Sequence, residues 1–148
     1  SPPPTLAAAA REVATAAHAG QVDKSGAAYI GHPARVAARL TGDDAQAVGW
    51  LHDVVEDTPV TLDDLRRDFP DRVVAAVDAL TRRPDEQPDD YYARVARDPL
   101  AVRVKLADVA DNSEPARLAA LDPATRDRLT AKYANARARL TGAGQPDP

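Results

Sequence analysis

Within six residues the chain places His52, Asp53, Glu56 and Asp57, four groups able to bind a metal or carry a proton. Folding alone gives no reason for that density. At about 3.6 residues per turn a helix stacks His52 on Glu56 and Asp53 on Asp57, with Val48, Leu51 and Val55 as an apolar stripe beside them. The stretch reads as a helix that packs with one face and does chemistry with the other. Two further candidate ligands, His32 and Asp108, lie far off in sequence. A divalent cation needs donors converging from separate elements. Two imidazoles with two carboxylates suit Mn²⁺ or Fe²⁺, leaving coordination positions for water and substrate, better than they suit a closed structural zinc site. The expected chemistry is metal-assisted hydrolysis. Because the chain holds only three histidines, a single metal ion is expected rather than a dinuclear centre rich in imidazole.

The elements that must position these groups read as helices. Alanine, leucine and valine recur at helical spacing and aromatic residues are scarce, which predicts an all-α, single-domain helical bundle over residues 1–141 and a disordered tail over 142–148. Thr5 caps a first helix to about His18, with Leu6, Ala9, Ala10, Val13 and Ala17 facing inward. A glycine-containing loop follows, and Pro33 at the first position of the second helix makes His32 its N-cap. Gly42 ends that helix, Asp43 or Asp44 opens the third, and the third runs to Thr58-Pro59. Thr61 and Asp64 form a capping box for a short fourth helix, and Pro70 begins a fifth carrying Val73, Val74, Val77 and Leu80. Residues 81–90 read as an exposed loop, followed by a helix over 91–97. After Asp98-Pro99, the alternation of Leu100, Val102, Val104 and Leu106 would suit a strand, but a helix aligns Lys105, Asp108 and Asn112 on one face. Asp122-Pro123 starts a last helix to about Leu140.

Composition narrows the function classes. The net charge is −4 and the pI about 5.3, so no global basic field favours nucleic acid. A phosphorylated ligand would need a metal or a few placed cations, and Lys24, Lys105, Arg35 and Lys132 are the candidates. Cysteine is absent, which excludes thiolate catalysis and disulfides. No apolar run is long enough to span a membrane, and the N-terminal Ser1-Pro2-Pro3-Pro4 lacks a basic start, so a cytoplasmic protein is expected. Each residue also has a plainer reading. His18 fits a helix C-terminal dipole partner or a loop brace, Lys105 a snorkelling lysine, Asn112 a C-cap and Tyr133 a core residue.

The distant His, the His-Asp doublet and the later Asp form a pattern similar to the HD superfamily of metal-dependent phosphohydrolases. The agreement extends over roughly residues 5–115 through AHAGQVDKSGAAYIGHP (17–33), LHDVVEDT (51–58), FPDRVVAAVDALT (69–81) and VKLADVADN (104–112). These phrases resemble the hydrolase domain of RelA/SpoT-type proteins, especially the stand-alone small alarmone hydrolases. The resemblance implies Mn²⁺ held by His32, His52, Asp53 and Asp108, with Glu56 and Asp57 positioning and activating water. It implies removal of the 3′-diphosphate of (p)ppGpp as pyrophosphate, and no counterpart here of the synthetase and regulatory domains of long relatives. The residues themselves suggest Lys24, Ser25, Lys105 and Asn112 as substrate contacts, the lysines against phosphate charge and Asn112 against the ribose or bridging phosphate, with Tyr133 packing on the nucleotide.

Two departures concern the substrate. Many relatives carry, before the lysine of the KSG motif, an arginine that stacks on guanine, where this chain has Asp23. Relatives also tend to read D-R-L-H-N where this chain has Asp108-Val109-Ala110-Asp111-Asn112. Asp23 can accept from an exocyclic amino group but cannot stack as a guanidinium does, so (p)ppApp is expected as a further substrate. The competing readings are a phosphatase of NADPH or another phosphorylated nucleotide, and a non-catalytic alarmone-binding regulator. The expected partners are a phosphorylated purine nucleotide and a neighbouring alarmone synthetase, with no nucleic acid and no membrane.

Overall fold

The computed structural model describes residues 3–142, so the tail expected from 142 onward falls almost wholly outside them. The elements are α1 (Leu6–Ala17), α2 (Gly31–Ala38), α3 (Asp43–Leu51), α4 (Val54–Asp57), α5 (Leu62–Asp68), α6 (Asp71–Leu80), α7 (Pro88–Ala96), α8 (Pro99–Asn112), α9 (Pro115–Ala119) and α10 (Pro123–Leu140). Among the described residues there is no strand beyond one isolated bridge, Val22 to Ala28, in the loop before α2.

Two helices organise the rest. α3 packs on α1, α2, α6 and α8, while α8 packs on α2, α3, α6, α7 and α10. Alanine and valine at the α3 seams, with Val48 and Leu51 wholly buried, let the neighbours approach closely. Gly49 is the tightest point. A Cβ there would lie 3.1 Å from Ala37 Cα and 3.0 Å from Leu40 Cδ1, so α2 can cross α3 at this distance only over a glycine. The start of α3 also fastens α1, since Asp43 accepts from the free N–H groups of Leu6 and Ala7 at 3.0 and 2.9 Å.

The capping signals at Thr5, Thr61, Asp98 and Asp122 all form side-chain bonds to helix N-termini. Helix prevails over the alternating pattern in α8 because Asp98 caps two N–H groups and Pro99 supplies the first turn. Several expectations are corrected. His32 is the second residue of α2 rather than its N-cap, because Ala34 already bonds back to Ile30 and the helix starts earlier. The third helix does not run unbroken to Thr58; it stops at Leu51 and resumes as α4. There the His52 ring takes the Gly49 carbonyl through Nδ1 at 2.7 Å, the acceptor that the Asp53 N–H would use in a continuous helix. Pro70 is the N-cap of α6 rather than its first residue, α7 begins at Pro88, and α9 was not anticipated.

Candidate metal centre

The break between α3 and α4 holds the doublet beside α8. His52 Nε2 lies 3.1 Å from Asp53 Oδ2 and 3.5 Å from Asp108 Oδ1. His32, brought in by α2, places its Nε2 at 2.7 Å from Asp108 Oδ1 and 4.0 Å from Asp53 Oδ2. Four side chains from α2, the α3–α4 break and α8 therefore point single donor atoms at one spot. Two of these donors are carboxylates brought together in a largely buried place, which is costly unless positive charge joins them. His52 Nε2 is buried and has no hydrogen-bond partner, since neither carboxylate is aligned to receive it. An orphaned imidazole nitrogen facing two carboxylates and a second imidazole is the donor set that fits a divalent cation.

Charge within the cluster is strongly coupled. Burial alone would lift Asp53, yet the His52 charge brings its carboxyl down to about 2. Asp108 would also be lifted by burial, but Lys105 and the two histidines hold it well below the usual carboxylate range. Burial opposes charge on His52, and the Asp53 and Asp108 carboxylates outweigh it, keeping the ring well above the ordinary histidine value.

Each donor is held by a neighbour. The Tyr29 hydroxyl donates to Asp53 Oδ2, and its ring lies 4.9 Å from that of His18, which bonds Gln21 through Nδ1 at 2.9 Å. His18 is thus a buried brace of the loop that carries Tyr29. Lys105 Nζ meets Asp108 Oδ2 at 2.8 Å, and Asn112 Nδ2 donates to Asp108 Oδ1 at 3.1 Å. Both residues therefore orient the Asp108 carboxylate, whereas the sequence suggested substrate contacts. The His32 ring is gripped from behind by Asp111, 2.8 Å from Nδ1.

A cavity of about 280 Å³ opens over this cluster. Glu56 and Asp57, both exposed on α4, line it beside Asp53, and the three can bring carboxylate oxygens within 4.8 Å of one another. Crowding and burial raise the Asp57 carboxyl above the usual range: desolvation acts first, then the Asp53 and Glu56 charges. Glu56 Oε1 also accepts the Arg82 N–H at 2.8 Å, which fixes the loop after α6 against α4.

Five cations share the lining, namely Arg35, Arg82, Lys105, Arg117 and Lys132. Arg82 and Arg117 escaped the sequence reading, because nothing in their local pattern links the ends of α6 and α9 to the histidines. Arg82 lies over the Tyr91 ring at 4.3 Å, which fixes its direction. Asp23 lines the cavity, but its Oδ1 accepts from the Ser25 N–H, the Ser25 hydroxyl and the Ala27 N–H, so that oxygen serves the loop. Lys24 and Ser25 are exposed and Tyr133 is partly buried against the core, and none of the three is part of the lining.

The chain is similar to known proteins. An HD domain family model matches residues 10–89. The chain belongs to the HD domain family. Similar to this HD chain are a GTP pyrophosphokinase of Streptomyces coelicolor, 40% identical over 116 residues, covering 70% of the chain and 14% of that protein, and a guanosine-3′,5′-bis(diphosphate) 3′-pyrophosphohydrolase of Haemophilus influenzae, 35% identical over 132 residues, covering 79% and 19%. The chain spans less than a fifth of the length of either relative. A solved structure described as a metazoan ortholog of SpoT that hydrolyzes ppGpp superposes with a TM-score of 0.79 at 22% identity, covering 96% of this chain and 89% of that one, and so shares its fold.

Proposed function

We propose that this HD chain hydrolyses the 3′-diphosphate of alarmone nucleotides, (p)ppGpp and also (p)ppApp, and releases pyrophosphate. The observation that carries the reading is the convergence of His32, His52, Asp53 and Asp108, with an orphaned His52 Nε2, beneath a cavity lined by Glu56, Asp57 and five cations. The relatives named for this reaction on (p)ppGpp support the substrate class. Mn²⁺ is the proposed ion, because a mixed shell of imidazole and carboxylate with positions left over suits it. When bound, such an ion supplies Lewis acidity and makes water nucleophilic near neutral pH.

The chain's own residues do the rest. Asp57, with its raised affinity for protons, takes a proton from the attacking water, and Glu56 holds that water in line. The water oxygen bonds to the phosphorus attached to the ribose 3′ oxygen, the bond from phosphorus to that oxygen breaks with the electron pair going to the 3′ oxygen, which takes a proton from solvent, and Asp57 returns its proton to solvent. Arg82 and Lys132 offset the charge on the departing pyrophosphate. Burial and the neighbouring Arg82 and Lys105 depress the proton affinity of Lys132, a sign that this side of the cavity is already rich in positive charge and suited to an anion.

Asp23 replaces the guanine-stacking arginine with a group that cannot stack, which is the basis for relaxed base choice. A cytoplasmic location, and a neighbouring alarmone synthetase whose product this chain would remove, complete the proposal. Among the described residues no helix is long and apolar enough to cross a membrane. Incubation of the purified chain and Mn²⁺ with ppGpp, pppGpp, pppApp and NADPH is the test. Pyrophosphate from the alarmones is the expected product. Orthophosphate, or turnover of NADPH alone, would contradict the proposal.

A further inference from the structure

Asp111 is a buried carboxylate that the scheme above does not use. It is 1% exposed and sits on α8 three residues beyond Asp108. Its Oδ2 lies 2.8 Å from His32 Nδ1, and Arg35 Nε reaches its Oδ1 and Oδ2 at 3.0 and 3.2 Å. Arg117 Nε stands 4.0 Å from Oδ2. His32 and Arg35 are three apart on α2 and so share a face, and both meet this one side chain across the seam with α8.

We propose that Asp111 is a positioning residue for the metal centre, with Arg35 as its lock. The inference rests on reading the donor cluster as a cation site. An imidazole on its own can turn about its bond to the chain and can carry its proton on either nitrogen. A carboxylate that accepts from Nδ1–H fixes both choices, and it presents the Nε2 lone pair to the spot shared with His52, Asp53 and Asp108. The carboxylate must itself be held, and Arg35 does that through Nε while compensating a charge that burial would otherwise make costly.

The test is Mn²⁺ binding by calorimetry on the full chain after chelator treatment, with thermal melts of the same samples and ¹⁵N spectra of its histidines. Asp111→Ala should lose about 10- to 100-fold in Mn²⁺ affinity, and the His32 Nδ1–H signal should become open to solvent exchange. Asp111→Asn should recover part of the affinity, because its amide oxygen can still accept from Nδ1–H. Arg35→Gln should give a smaller loss, and with Asp111→Asn it carries the test if the alanine variant does not fold. A folded Asp111→Ala with wild-type Mn²⁺ affinity overturns the proposal and leaves the hydrolase reading standing. Failure of the wild-type chain to bind Mn²⁺ overturns both. Mn²⁺ binding that follows the predicted series in a chain that leaves alarmones intact overturns the hydrolase reading alone.

Discussion

Gly49→Ala should weaken the metal centre from a distance. The new Cβ would sit 3.0 Å from Leu40 Cδ1, 3.1 Å from Ala37 Cα and 3.3 Å from Ala37 N. Leu40 can turn aside, but the Ala37 backbone cannot, so α2 and α3 must separate by several tenths of an ångström to restore ordinary contact. Overpacking of this kind costs about 1–3 kcal/mol, and the better helix propensity of alanine returns about 0.8–1 kcal/mol. The backbone clash favours the upper part of the cost range, so a net loss of about 1–2 kcal/mol is expected, or a fall in Tm of about 3–6 °C for a domain of this size. The separation also has a direction. His32 rides on α2, and the His52 ring is tied to the Gly49 carbonyl itself, so the two imidazoles move apart. Mn²⁺ affinity should fall with Tm. The control is Leu65→Ala in α5, a buried position that contributes nothing to the cavity, which should lower Tm without changing Mn²⁺ affinity. A Gly49→Ala protein that melts at or above the wild-type temperature, or that melts lower with unchanged affinity, would refute the argument that this seam sets the distance between the histidines.

Glu56→Gln and Asp57→Asn should keep Mn²⁺ and lose about 10²- to 10⁴-fold in kcat; a loss of only a few-fold in either would remove that residue from the water-activating pair. Asp57 also makes a prediction for stability in chelator. Its folded-state proton affinity is raised, so its contribution is fully present at low pH and is lost as pH rises through the folded value. Asp57→Asn should therefore stabilise the chelated protein at pH 7 and not at pH 3, as read by denaturant melts, and equal effects at both would contradict this. Lys105→Met breaks a buried pair with Asp108 and should cost about 3 kcal/mol, towards the low end of the usual range because His32 and Asn112 still bond that carboxylate. Denaturant unfolding checks it, and an unchanged midpoint would show the pair to be dispensable. Arg82→Ala should raise KM for the alarmone more than it lowers kcat, and steady-state kinetics with an unaltered KM would exclude Arg82 from substrate binding.

The sequence made the ligand types legible because a His-Asp doublet with two acids one turn later is hard to explain by packing. It made most of the helices legible because Thr5, Thr61, Asp98 and Asp122 cap them with bonds that span only two or three residues. What stayed hidden depends on the third dimension. The break at His52 arises from one ring taking one carbonyl, an event no periodicity reports. Arg82, Arg117 and Asp111 lie at ordinary surface or helix positions in the sequence, and only the packing of α8 on α2 and the placing of α6 and α9 at the cavity rim bring them to the histidines. Lys105 and Asn112 fell on the expected face, yet their distances to Asp108 assign them to the carboxylate, a distinction that spacing along a helix does not contain.

The central claim is that water attacks the 3′-linked phosphorus of an alarmone at the cluster of His32, His52, Asp53 and Asp108. Hydrolysis of ppGpp in oxygen-18 water with Mn²⁺, followed by ³¹P NMR, tests it on wild type and on Asp53→Ala. Wild type should place the label in released pyrophosphate, leaving an unlabelled ribose hydroxyl, and Asp53→Ala should neither bind Mn²⁺ nor form the product. Labelled orthophosphate, label on the ribose, or wild-type turnover by Asp53→Ala would contradict it.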